Sequence, residues 1–114
     1  MNIEAFRDYC LQKKAVSEEF PFDQKTLVFK VKGKMFALTD VDSFESINLK
    51  CDPEYALELR EQYDGISGGF HMNKKHWNTI LVNSISNEFL YALTDHSYDL
   101  VVKSLPKKLK SDLI

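Results

Sequence analysis

Cysteine, proline and glycine are scarce in this chain of 114 residues, at two, three and four copies. Cys10 and Cys51 lie far apart and form no C-x-x-C pair, which excludes a disulfide framework, a redox dithiol and a zinc knuckle; both are expected in the core. So little proline and glycine excludes collagen-like and low-complexity sequence. No apolar run reaches eighteen residues, so no membrane-spanning helix and no membrane partner are expected. The opening Met1-Asn2-Ile3-Glu4 places an acid where a secretory signal needs bases and then an apolar stretch, so the expected location is cytoplasmic. An excess of one charge is missing too. Fifteen bases face seventeen acids, and a net charge of −2 argues against tight, non-specific nucleic-acid binding. The halves differ mildly, with nine bases against thirteen acids over 1–64 and six against four over 65–114.

What is present suits one soluble domain over residues 1–114, with 44% hydrophobic and 28% charged residues. Residues 2–14 read as an amphipathic helix capped by Asn2, with Ile3, Phe6 and Cys10 on one face. Residues 15–26, around Phe20-Pro21-Phe22, read as irregular. Residues 27–32 alternate, with Leu27, Phe29 and Val31 opposite Lys30 and Lys32, and Gly33 turns the chain into a second strand over 34–39. A third strand over 46–51 sets Ile47, Leu49 and Cys51 against Asn48 and Lys50. Asp52-Pro53-Glu54 is a strong helix start, and that helix runs to about Tyr63. A glycine-bearing loop over 64–75 leads to a fourth strand, His76 to Val82, whose alternation fits either face. A last helix starts near Ser86 and stops at Pro106, before a basic tail. The order predicts an α+β fold, an antiparallel sheet with helices packed on one face and the other face open to water.

The chain was searched for chemistry-bearing constellations. Asp95-His96-Ser97 holds triad residue types, but neighbours on a helix point about 100° apart and cannot form a relay. His71, His76 and His96 show no metal-ligand spacing, and Asp40-x-Asp42 is too short for a calcium loop. Gly65-x-x-Gly68-Gly69 follows a helix and precedes a strand, the reverse of a phosphate-binding loop. No enzyme activity, cofactor or metal is therefore expected. The remaining constellation is basic and aromatic. Lys30, Lys32 and Lys50 share a sheet face, Lys34 lies at the hairpin, and Lys74, Lys75 and His76 precede Trp77 and Asn78. Lysine contacts phosphate, tryptophan stacks on bases and asparagine reads an adenine edge. The same lysines also serve simply to keep an exposed sheet soluble.

The segments Asn48-Leu49-Lys50-Cys51-Asp52-Pro53, His71 to Asn78, Asp95-His96-Ser97-Tyr98 and Leu105-Pro106-Lys107-Lys108 resemble the MmcQ/YjbR family, in order and over essentially the whole chain. The resemblance implies a CyaY-like (frataxin-like) α+β fold and a DNA-binding protein with a double-wing motif. Its most specific stretch falls on Lys74, Lys75, His76, Trp77 and Asn78, and the Lys32-Gly33-Lys34 hairpin would form one wing. The chain departs from the family pattern at Lys13-Lys14-Ala15-Val16 and Ser84-Ile85, both in turns. The expected function is non-enzymatic DNA binding through Lys30, Lys32, Lys34, Lys50, Lys74, Lys75, His76, Trp77 and Asn78. The alternative is a protein-interaction or adaptor domain using the open sheet face with Trp77 as anchor. Frataxin-like iron handling would need an acidic first helix, and here Glu4 and Asp8 stand beside Arg7, Lys13 and Lys14. A monomer is expected.

Overall fold

In the computed structural model, which describes residues 1–113, local signals account for each helix. Helix α1 (Ile3–Leu11) starts where Asn2 Oδ1 accepts the Ala5 N–H at 2.8 Å. Helix α2 (Pro53–Gln62) starts where Asp52 accepts the Tyr55 N–H at 3.1 Å, with Pro53 in the first position, where a missing N–H costs nothing. Helix α3 (Asn87–Ser104) starts where Ser86 Oγ accepts from Phe89, and Pro106 follows its last turn. The tail is not featureless. It forms a one-turn helix, α4 (Lys107–Lys110), and a 3₁₀ turn over Ser111–Leu113 that lays Leu113 on the core.

The sheet has six antiparallel strands rather than the four expected. They are β1 (Val16–Glu19), β2 (Thr26–Val31), β3 (Lys34–Asp40), β4 (Ser46–Lys50), β5 (Ile66–Gly68) and β6 (Trp77–Leu81), in the order β1-β2-β3-β4-β6-β5. The two unexpected strands are the edges. β1 lies in the stretch read as irregular and β5 in the stretch read as a glycine loop. Each has four residues or fewer and takes its geometry from the neighbour it pairs with.

A bulge decides how β3 meets the core. Phe29 pairs with Ala37 but Lys30 with Met35, so Phe36 is the extra residue. Phe36 and Ala37 therefore both turn towards the helices, where strict alternation would have sent one of them to solvent. The main core forms on that side. Phe29, Phe36, Ile47, Leu49 and Ile80 from the sheet meet Phe6, Leu59, Leu90 and Val101 from the three long helices. Cys10 and Cys51 are free thiols within it, and burial pushes them up to about 12 and about 11. No helix among the described residues is long and apolar enough to cross a membrane.

Candidate functional site

The open face carries Thr26, Val28 and Lys30 of β2, Met35, Leu38 and Asp40 of β3, Ser46, Asn48 and Lys50 of β4, and Trp77, Thr79 and Leu81 of β6. Their pairings set the order: Val28 with Leu38, Leu38 with Asn48, Asn48 with Thr79 and Lys50 with Trp77. The ambiguous alternation of β6 is thereby resolved. Trp77 lies on the open face and Asn78 on the covered one.

Both positions correct the proposed base-reading pair. Trp77 is only 8% exposed, lying against Val28, Leu38, Met35 and Met72 in a small second core, so its ring is not offered for stacking. Asn78 is 1% exposed beneath α2, where its Oδ1 accepts from Arg60 Nε at 2.7 Å. Arg60 also donates to the carbonyls of Lys74 and Trp77. An arginine, an asparagine and two carbonyls thus clamp the loop before β6 onto α2. Asn78 makes its hydrogen bonds to Arg60 and the Ala56 carbonyl inside the protein, where a base cannot reach it.

The lysines divide as well. Lys30 is ion-paired with Glu19. Lys32 does not share the open face with it. It sits in the hairpin turn at φ 50°, beside Gly33 at φ 84°, and its Nζ reaches Asp112 at 3.2 Å. Positive φ at both central residues is the tight type I′ hairpin. Lys74 donates to the Gly69 carbonyl at 3.0 Å and braces its own loop. Lys34 and Lys75 are exposed, and Lys50 and His76 are partly so.

The segments that carry the family resemblance converge on this scaffold. Ser97 Oγ, fully buried, donates to the Phe36 carbonyl at 2.5 Å and accepts the Lys50 N–H at 2.9 Å. His96 Nε2 accepts the Asp52 N–H at 3.2 Å and its ring meets Tyr55 edge-on. Asp95 binds Tyr9 and Lys13, with Lys13 held over the rings of Tyr9 and Tyr98. Burial and that carboxylate push the Tyr9 phenol up to about 12. Asp95, His96 and Ser97 thus each serve a separate set of partners, and the motif ties α3 to β3, β4, α1 and the start of α2.

The cavity lies at the opposite end of the open face. A cleft of about 530 Å³ sits over Thr26, Leu38, Asp40, Ser46 and Asn48. Phe22 and Asp23 of the β1–β2 loop form one wall, and Phe70, His71 and Met72 of the β5–β6 loop form the other. None of the nine residues expected to bind DNA lines it. Phe22 and Phe70 are 65% and 67% exposed, and the Phe70 and His71 rings lie 4.1 Å apart. His71 has φ 59°, a left-handed conformation uncommon outside glycine, which turns the chain sharply between Phe70 and Met72. The wall is pinned from below: the Phe70 N–H donates to Thr79 Oγ1 at 2.8 Å, and Thr79 donates in turn to Asn48.

The charge of the cleft is negative. Asp23 Oδ1 accepts the N–H groups of Thr26 and Lys25, and Asp40 Oδ1 those of Asp42 and Ser43. These backbone bonds hold both carboxyls below their usual range, so both are ionised at neutral pH. Lys25, the nearby base, is exposed and stands 4.0 Å from Asp42. A second void, between α2, α3 and the covered sheet face, is about 10 Å³, at most one water's worth of room. Sequence reasoning missed Phe22, Asp23, Phe70 and His71. The available signal was large aromatics in proline- and glycine-bearing loops, where no regular element can bury them.

The architecture is thus an antiparallel α+β domain with three helices on one sheet face and a cleft on the other. The YjbR family model matches residues 11–100. The Escherichia coli (strain K12) protein YjbR, itself uncharacterised, is 31% identical over 116 aligned positions, covering all of this chain and 98% of that protein. The uncharacterised protein YbdF of Escherichia coli O157:H7 is 40% identical over 91 positions, 78% of this chain and 75% of that one. The crystal structure of Deinococcus radiodurans protein DR2400, a DUF419 domain, superimposes with a TM-score of 0.91 at 38% identity over 98% of this chain and 87% of that chain. A Pseudomonas syringae protein of known crystal structure gives a TM-score of 0.73 at 28% identity, covering 88% of this chain and 98% of that one. The chain belongs to the YjbR family.

Proposed function

We propose that the protein is a single-domain, non-enzymatic binding module whose ligand site is the cleft on the open sheet face. The observation that carries this reading is a cavity of about 530 Å³ walled by two phenylalanines that are about two-thirds exposed. Ligand pockets typically span about 300–1,000 Å³, with apolar walls and a few placed polar groups, and this cleft has that composition. Its carboxylates are engaged in holding loop backbone, which suits fixed recognition groups better than a proton-transfer pair. The test is amide NMR of the labelled protein with a set of small aromatic probes. The expected result is saturable shifts at Phe22, Asp40, Asn48 and Phe70. Shifts confined to the helical face, or none, would overturn it.

DNA binding is the second reading, favoured by the exposure of Lys34, Lys74 and Lys75 and by Lys50, partly exposed opposite Trp77 on the open face. With Trp77 and Asn78 buried, such contact would be to phosphates alone. It predicts weak binding whose logarithm falls with log salt at a slope of about −3 for three or four contacts. Lys74→Ala with Lys75→Ala should flatten that slope by about two. A short duplex that leaves the fluorescence anisotropy of its label unchanged at low salt removes this reading.

A further inference from the structure

We infer that the cleft selects a small organic cation with an aromatic or branched apolar body, such as an aryl-alkyl ammonium. This rests on the cleft being the ligand site and names the chemistry it takes. Three observations point the same way. First, the formal charges in the lining are the carboxylates of Asp23 and Asp40, and no lysine or arginine lines the cavity. A cation entering there meets two carboxylates, with the nearby base, Lys25, exposed and outside the lining, and an anion is disfavoured. Second, Phe22 and Phe70 stand on opposite walls with most of their surface exposed. Aromatic faces attract cations through their quadrupole and also cover an apolar body, so one ligand of this class satisfies both walls. Third, the floor is mixed. Leu38 provides an apolar patch, while Asn48 and Ser46 provide hydrogen-bonding groups that can take the N–H of an ammonium.

Size selects the source. A cleft of about 530 Å³ falls in the range of pockets that take a free small molecule. The walls are also held in place. Asp23 and Asp40 cap their own loops, Phe70 is bonded to Thr79, and Arg60 clamps the chain after the Phe70 wall. A preorganised site avoids the ordering cost that weakens binding to flexible loops.

The experiment compares three isosteric probes on the labelled full chain: phenethylammonium, phenethyl alcohol and phenylacetate. The expected order of affinity is cation, neutral, anion, with the cation ahead of the neutral probe by about tenfold at low salt. The advantage should shrink at physiological salt. Asp23→Asn with Asp40→Asn keeps the capping oxygens while removing both charges, and should remove most of the cation's advantage over the neutral probe, leaving the part that the aromatic walls supply. Phe70→Ala, an exposed change that leaves the fold intact, should weaken all three. Equal binding of cation and neutral probes to the unaltered protein overturns the charge selection and leaves the cleft reading standing. Cleft amides that respond to none of the three at millimolar concentration overturn the cleft reading itself. A lysine-rich peptide that shifts the same amides at lower concentration than phenethylammonium overturns the small-molecule assignment.

Discussion

On the covered face of the sheet, Phe29, Phe36, Ile47, Leu49 and Ile80 are sealed under three helices; on the open face, Val28, Leu38 and Trp77 reach comparable burial with only Met35 and Met72 beside them. The covered face works by volume. Its side chains come from every long element, and its polar groups, such as Ser97 and Asn78, are each bonded to a neighbour. The open face is graded along its length. One end is apolar and basic, built around Trp77, and the other is hollow, acidic and rimmed by exposed phenylalanine. The difference teaches where recognition can be sited. A sheet backed by a complete core on one side can leave part of its other side unfilled, because the fold does not depend on that surface.

Substitutions that cross the sheet put this comparison at risk. The largest effect is expected from Phe36→Ala, which empties the centre of the main core and should cost about 3–5 kcal/mol in denaturant unfolding. Leu38→Ala, two residues on but in the small second core, should cost about 2–3 kcal/mol because solvent and Met72 can collapse onto the gap. A larger loss at Leu38 than at Phe36 would reverse the ranking of the two faces.

Ser97→Ala should cost about 1–3 kcal/mol, since it strips the Phe36 carbonyl and the Lys50 N–H of a shared partner at a buried site. Thermal unfolding measures it, and a neutral result would mean that water replaces the hydroxyl. Phe22→Ala and Phe70→Ala should each change stability by no more than about 0.5 kcal/mol, as exposed side chains outside the core do. A marked drop in melting temperature for either would mean the cleft walls are structural.

The smallest effect is expected from acid. Asp23 and Asp40 have carboxyls lowered in the folded state, so their contribution is present above the ordinary carboxylate range and lost as pH falls through the lowered values. The amides of Lys25, Thr26, Asp42 and Ser43 should lose protection from exchange, relative to their intrinsic rates, at a higher pH than the inner amides of β3 and β4 do. Exchange that rises uniformly would show that these caps do not hold the cleft loops.

Several elements were legible because their signals are local. Asn2, Asp52 with Pro53, and Ser86 announce three helix starts, and each side chain makes the capping bond its type suggests. Leu27, Phe29 and Val31 alternate clearly enough to place β2 with its apolar face inward. The MmcQ/YjbR resemblance was legible too, and the family match supports it. The expected site is only partly surface: Trp77 and Asn78 are buried and Lys74 braces its own loop, whereas Lys34 and Lys75 stay exposed. Trp77 packs with methionines, and Asn78 closes a clamp with Arg60 from a helix eighteen residues away in sequence.

What the sequence determined by itself is the three long helices, the four inner strands, the α+β class and the commitment of Leu27, Phe29, Val31, Ile47 and Leu49 to one face. These follow from caps and periodicities contained within a few residues. Only the tertiary structure decided that β6 turns Trp77 outward and Asn78 inward, that a bulge sends Phe36 and Ala37 to the same side, and that two short edge strands complete the sheet. It also decided where the cleft lies. Phe22 and Phe70 are separated by 47 intervening residues and share a cavity because the sheet sets β2, β3, β4 and β6 side by side, and no local pattern encodes a distance set by the register of four neighbouring strands.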